Sequence, residues 1–118
     1  MLGHELAAED YCYVTTTGRV TGNRHQIEIW FAANSDTIYI LAGGGHTSDW
    51  VKNAKLEPHV PVRIGSTTFA GRARIVEDRD EDALARRLVL AKYSPSNSDL
   101  EEWGRTALPV AIDLTANS

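Results

Sequence analysis

The chain has one cysteine, Cys12, which rules out an internal disulfide and a cysteine metal cluster. That thiol stands between Tyr11 and Tyr13 at strand spacing, where an inert buried side chain is expected rather than a nucleophile. No apolar run approaches the length of a membrane span, and no leader with a cleavage site opens the sequence. A cytoplasmic protein without a transmembrane segment is therefore expected. No Gly-Lys-Ser/Thr closes a phosphate loop, and no Gly-x-Gly-x-x-Gly marks a dinucleotide turn. His25, His46 and His59 are too dispersed for a local zinc motif, and no helical His-x3-His pair exists. Neither a Ser-His-Asp nor a Cys-His arrangement is present. Hence no metal site and no dedicated catalytic side chain is expected. Clustered lysines are missing too, which argues against nucleic acid.

What is present is ordinary in bulk and unusual in two places. With 118 residues, 42% hydrophobic and 24% charged, the composition is that of one soluble domain spanning residues 1–118. The net charge of −4 hides an asymmetry. Between Thr15 and Val76, seven bases (Arg19, Arg24, Lys52, Lys55, Arg63, Arg72, Arg74) face four acids (Glu28, Asp36, Asp49, Glu57). A local positive field of that kind favours an anionic small ligand.

Two glycine-marked loops lie inside this stretch. The first, Thr15 to His25, combines Gly18 and Gly22 with hydroxyls from Thr15, Thr16, Thr17 and Thr21 and N–H donors from Arg19, Arg24 and His25. Guanidinium forks match phosphate because they donate two parallel hydrogen bonds. A hairpin turn with solvated arginines is the plain alternative, but so many donors together favour an anion site. The second loop places Gly43, Gly44 and Gly45 before a short helix, with Thr47 or Ser48 as N-cap and Asp49 in the first turn. Trp50 and Asn53 share one face of that helix. An indole beside an amide suits a heteroaromatic ring, although a core tryptophan and a surface asparagine explain the pair equally well. The glycine run favours the ligand. The two loops together are expected to be the two halves of a bed for a flat, phosphorylated cofactor.

Pattern predicts strands over Tyr11–Thr16, His25–Ala33 and Thr37–Ala42, the first three as a meander. A helix is expected over Ser48–Leu56 and a hairpin from His59–Ile64 and Thr67–Val76 around Gly65-Ser66. A longer helix follows over Asp80–Tyr93 with an apolar stripe of Leu84, Leu88 and Ala91. A linker, a short helix over Asp99–Arg105 and a closing strand over Leu108–Leu114 complete the chain. Six strands with short helices point to a mainly β, α+β small barrel rather than a doubly wound sheet.

The order of pieces is more specific than any single one. Thr-Thr-Gly-Arg-x-Thr-Gly from Thr16, Ile-Trp-Phe from Ile29, Gly-Gly ahead of Ser-Asp-Trp-x-x-Asn from Ser48, and Pro-x-Val-x-Val-x-Ile-Gly from Pro58 resemble the deazaflavin-dependent nitroreductase family. The resemblance covers roughly Tyr13 to Asp113. It implies a split β-barrel like that of pyridoxamine-phosphate oxidases, and coenzyme F420, an 8-hydroxy-5-deazaflavin with a phosphodiester and a polyglutamate tail. Cofactor contacts are then implied for Thr17, Gly18, Arg19, Thr21, Arg24, His25, Trp30, Gly43, Gly44, Ser48, Trp50 and Asn53. Trp30 and Tyr93, with Trp103, become candidates for the acceptor pocket. Val20 and Asn23 stand where similar chains often carry lysines, and the N-terminus is short for a substrate-covering helix.

The implied activity is hydride transfer from reduced F420 to a small-molecule acceptor such as a quinone, nitroaromatic or enone, with the protein supplying position and electrostatics. Alternatives on the same barrel are an FMN-dependent reductase or oxidase, and a non-catalytic F420, fatty-acid or haem binding protein. Homodimerisation is left open.

Overall fold

The computed structural model describes residues 2–115. Seven strands make one antiparallel sheet: β1 (Cys12–Thr17), β2 (Arg24–Ile29), β3 (Ala32–Asn34), β4 (Thr37–Ala42), β5 (Val62–Ile64), β6 (Thr67–Ile75) and β7 (Leu108–Thr115), in the order β2-β1-β5-β6-β7-β4-β3. The helices are α1 (His4–Ala7), α2 (Asp49–Leu56), α3 (Arg79–Tyr93) and α4 (Glu101–Thr106).

The sheet curls on itself. Val14 of β1 and Ile38 and Ile40 of β4 share one core with Val62, Ile64 and Ile112, although β1 and β4 stand near opposite ends of the strand order. Ala54 of α2 joins the same core. The alternate residues Tyr39 and Leu41 of β4 face outward and pack with Ala85, Val89 and Tyr93 of α3. Burial on both faces is why β4 reads as an unbroken apolar run, Ile38-Tyr-Ile-Leu-Ala42. This is the mainly β split barrel that the sequence suggests.

Three expectations need correction. The run from His25 to Ala33 is two strands, because the ladder stops at Trp30 and Phe31. There the main chain is satisfied from α3 instead: Phe31 N donates to the Tyr93 hydroxyl at 3.0 Å, and Phe31 O accepts from that hydroxyl at 3.0 Å and from Lys92 Nζ at 2.8 Å. The first three strands are consequently no meander. β2 pairs with β1 and β3 with β4, and the two hairpins lie at opposite ends of the sheet. In α3 the buried stripe is Ala85, Val89 and Tyr93, with Leu84 and Leu88 at its edge and Ala91 exposed. The stripe is rotated because the helix must bring Tyr93 under Phe31.

Asp78 caps α3 by accepting from Glu81 N at 2.9 Å. Beside it, Arg74 of β6 donates to Glu81 at 2.6 and 2.8 Å and to Asp113 of β7 at 2.8 and 3.2 Å. Tyr39 and Thr37 of β4 add hydroxyl donors to the same two carboxylates, both at 2.7 Å. The Arg74 guanidinium holds the Glu81 and Asp113 carboxyls below their usual range. Cys12 is fully buried, and burial pushes its thiol up to about 12, so it is inert at neutral pH.

Two stability outcomes follow from these ties. Tyr93→Phe removes a hydroxyl bonded to Phe31 N, Phe31 O and Asp10 O. It should cost about 1–3 kcal/mol in urea unfolding, since buried main-chain groups lose their partners. The depressed carboxyls of Glu81 and Asp113 stabilise the fold above their ordinary pKa near 4, and that stability drains away as pH falls through their lower folded values. Arg74→Met should therefore lose about 1 kcal/mol at pH 7, a modest figure because the network is partly exposed. Its unfolding midpoint should also fall less steeply than the native protein's between about pH 5 and pH 2.

Candidate functional site

The β1–β2 connection is a tight loop built by its own residues. Gly18 N donates to Asn23 O at 2.7 Å, Gly22 N donates to Gly18 O at 2.9 Å, and Asn23 N donates to Thr21 Oγ1 at 3.2 Å. Gly22 has φ +78°, which a side chain disfavours. At Gly18 a Cβ would stand 3.0 Å from His25 Nε2 and 3.1 Å from Asn23 O, so the imidazole lies directly over this glycine.

The loop is pinned to α2 through Arg19. Its main-chain N and its Nη1 both donate to Asn53 Oδ1, at 3.2 and 2.8 Å, while Nη2 donates to Asp49 Oδ1 at 3.2 Å. Asn53 is buried, and its Nδ2 donates in turn to the buried Thr16 hydroxyl at 3.5 Å. Between loop and helix lies a cleft of about 450 Å³ lined by Thr16, Gly18, Arg19, Thr21, His25 and Trp50, with Val20, Asn23, Ile27, Asp49 and Asn53 completing its wall. Asn53 and Asp49 engage two of the five guanidinium N–H donors, and Arg19 lines the cleft. The donor set is one cation, two hydroxyls and an imidazole, beside a half-buried indole. That chemistry suits an anionic, phosphorylated ligand with a planar ring.

Of the residues picked from sequence, Gly18, Arg19, Thr21, His25, Trp50 and Asn53 come together here. Thr17 and Arg24 sit opposite one another in the β1–β2 ladder, outside the lining. Ser48 is the N-cap residue of α2, and Gly44 packs against it; neither lines the cleft. Trp30, expected on a strand face, lies beyond the end of β2. Its ring stacks on Tyr93 at 4.3 Å with 4° between planes and meets Trp103 edge-on at 5.8 Å. Gly43 belongs with this aromatic group, because its Cβ position is 3.4 Å from Trp103 Nε1. Tyr93 is buried, with its hydroxyl committed to main chain. Thr16, one of the hydroxyls noted in the first loop though not among the implied cofactor contacts, lines the cleft as well, and the cleft residues not picked were Val20, Asn23, Ile27 and Asp49. Thr16 was accessible from pattern, since it continues the inward alternation of Cys12 and Val14.

The family model described as F420H(2)-dependent quinone reductase matches residues 1–115. The chain belongs to this family. Coenzyme F420 is accordingly its cofactor, and the protein is an oxidoreductase of quinones. A Mycobacterium tuberculosis protein named F420H(2)-dependent quinone reductase is 25% identical over 115 residues, which is 94% of this chain and 76% of that one. A solved F420-H2 dependent reductase superposes with a TM-score of 0.71 at 21% identity, covering 90% of this chain and 94% of that one. A Listeria innocua structure described as a candidate pyridoxamine 5′-phosphate oxidase gives 0.69 at 16% identity, covering 92% and 86%. These structural likenesses carry the fold. The donor set of the cleft fits the family's coenzyme, whose phosphodiester and glutamate carboxylates need cationic and hydroxyl donors.

Proposed function

We propose that the protein reduces a quinone with reduced F420, holding the phosphorylated arm of the coenzyme in the cleft between the β1–β2 loop and α2. The observation that carries this assignment is Arg19, a guanidinium fixed by α2, with donors to spare, in the lining of the cleft. Thr21 and His25 would add donors to the same anion. Trp50 and Ile27 offer the apolar surface on which the tricyclic ring would lie.

Reduced F420, when bound, supplies a hydride. The chain's part is to bind, orient and exclude water, and no side chain is needed as a nucleophile. Nitroaromatic and enone acceptors fall within the same reading, because each is an electron-poor π-system able to accept a hydride. A cytoplasmic location belongs to it as well; no described helix is long and apolar enough to cross a membrane.

Titration of the purified protein with F420, followed by coenzyme fluorescence, tests the assignment. Saturable binding and turnover of a quinone with reduced F420 are expected. Binding no tighter than to an unrelated protein of equal charge, or an extracted yellow pigment matching FMN, would overturn it. Arg19→Ala should weaken binding roughly ten- to a hundredfold, the worth of one charge-assisted hydrogen bond. Asp49→Asn should act in the opposite sense. It removes an exposed carboxylate that both occupies the guanidinium and repels the coenzyme's anion. Binding should tighten by about two- to fivefold, and the gain should shrink in high salt.

A further inference from the structure

Among the described residues, the buried polar side chains are Thr16 and Asn53, and they are bonded to each other. An amide taken out of water is costly unless its donors and acceptor are satisfied. Here the satisfaction comes from one neighbour in particular. Asn53 Oδ1 accepts from both the main-chain N and the Nη1 of Arg19. A single acceptor that grips the two ends of an arginine fixes its side-chain rotamers as well as its backbone position. Arginine has much rotamer freedom to lose, so a fork already fixed in the cleft lining binds an anion more tightly than a free one.

We propose that Asn53 is the positioning residue of the coenzyme's phosphate site, acting through Arg19. This rests on the assignment of the cleft to F420. It differs from the expectation that the Asn53 amide meets the ring edge, since that amide's oxygen is doubly occupied and its nitrogen faces Thr16. Asn53 lies on the first two turns of α2, one turn after Asp49, so the helix presents a buried neutral grip and an exposed charged one to the same guanidinium. The β1–β2 loop is thereby held in its binding shape before any ligand arrives.

The test uses Asn53→Leu and Arg19→Gln, singly and together, with Asn53→Asp as the conservative variant. Without coenzyme, amide hydrogen exchange over residues 18–23 should quicken at least tenfold in Asn53→Leu, while the turn at Gly65 and Ser66 keeps its native rates. Asn53→Asp retains an acceptor for Arg19 and should keep most of the loop's protection. In F420 fluorescence titrations Asn53→Leu should weaken binding roughly tenfold, and the double variant should bind no worse than Arg19→Gln alone. Independent, multiplying losses would mean that Asn53 contacts the coenzyme directly, which overturns the proposal. Unchanged loop exchange in folded Asn53→Leu overturns it too. Failure of the native protein to bind F420 would strike the cofactor assignment of the cleft and the phosphate-site role together. The exchange data would still decide whether Asn53 holds the loop.

Discussion

The fold turns on the main chain at Phe31, which has to leave one end of the sheet and begin the other. A strand that ends in the middle of a protein leaves N–H and C=O groups without ladder partners, and burying them bare costs several hydrogen bonds' worth of free energy. Lys92 and Tyr93, adjacent at the end of α3, supply those partners. Lys92 Nζ also donates to Ala7 O and Glu9 O, at 3.0 and 2.6 Å, so the N-terminal segment is tied to the same point. Burial pushes the Lys92 ammonium down to about 8, yet its three carbonyl acceptors and the nearby Asp10 and Glu9 carboxylates favour the charged form. One helix turn thus does for this crossing what a continuous strand could not.

That crossing shapes the site at a distance. Because the chain departs after Ile29, β2 pairs with β1 at the end of the sheet order, and the β1–β2 hairpin projects beside α2. Had β2 run on into β4 as a meander, its far side would have been taken up by pairing. The hairpin instead carries an exposed outer strand, with Arg24, His25 and Gln26 all open to solvent. Its loop meets α2, and the cleft is the gap between them.

The first glycine loop was legible in the sequence as a donor-rich turn and does form a wall of the cleft, and the second was legible as a glycine run ahead of a helix. Strand β4, helix α2 and the hairpin around Gly65 were equally plain, since each is bounded by strong turn residues and has an unambiguous period. The break at Trp30–Phe31 was hidden, because nothing local interrupts an alternating apolar run there. The cause lies sixty residues away, in side chains whose reach no periodicity reveals. The same holds for Gly43 and Trp30. Both look like ring-binding residues by type and neighbourhood, and what the sequence hides is that α4 delivers Trp103 to that spot, against Trp30 and beside Gly43. Asn53 illustrates the opposite failure. Its place on the Trp50 face was readable, whereas its burial against Thr16 depends on how α2 docks on β1.

Arg19 is held by two partners of unequal strength, and the inequality matters more than the number of bonds. Asp49 is 85% exposed as a side chain, so its ion pair with Arg19 is screened and worth at most about 1 kcal/mol. The Asn53 contacts are made to a residue with 5% exposure, where the alternative to bonding is a bare amide in the core. On the proposed assignment, an incoming phosphate would compete with the first partner and leave the second in place. Asp49 would then be a stand-in anion for the fork in the absence of ligand. The ligand needs only to displace an exposed carboxylate while the buried anchor persists. An arginine held by two surface carboxylates would lose both on binding and would enter the complex with its rotamers unfixed. Placing one grip in the core and one in solvent lets the same side chain be rigid and available at once.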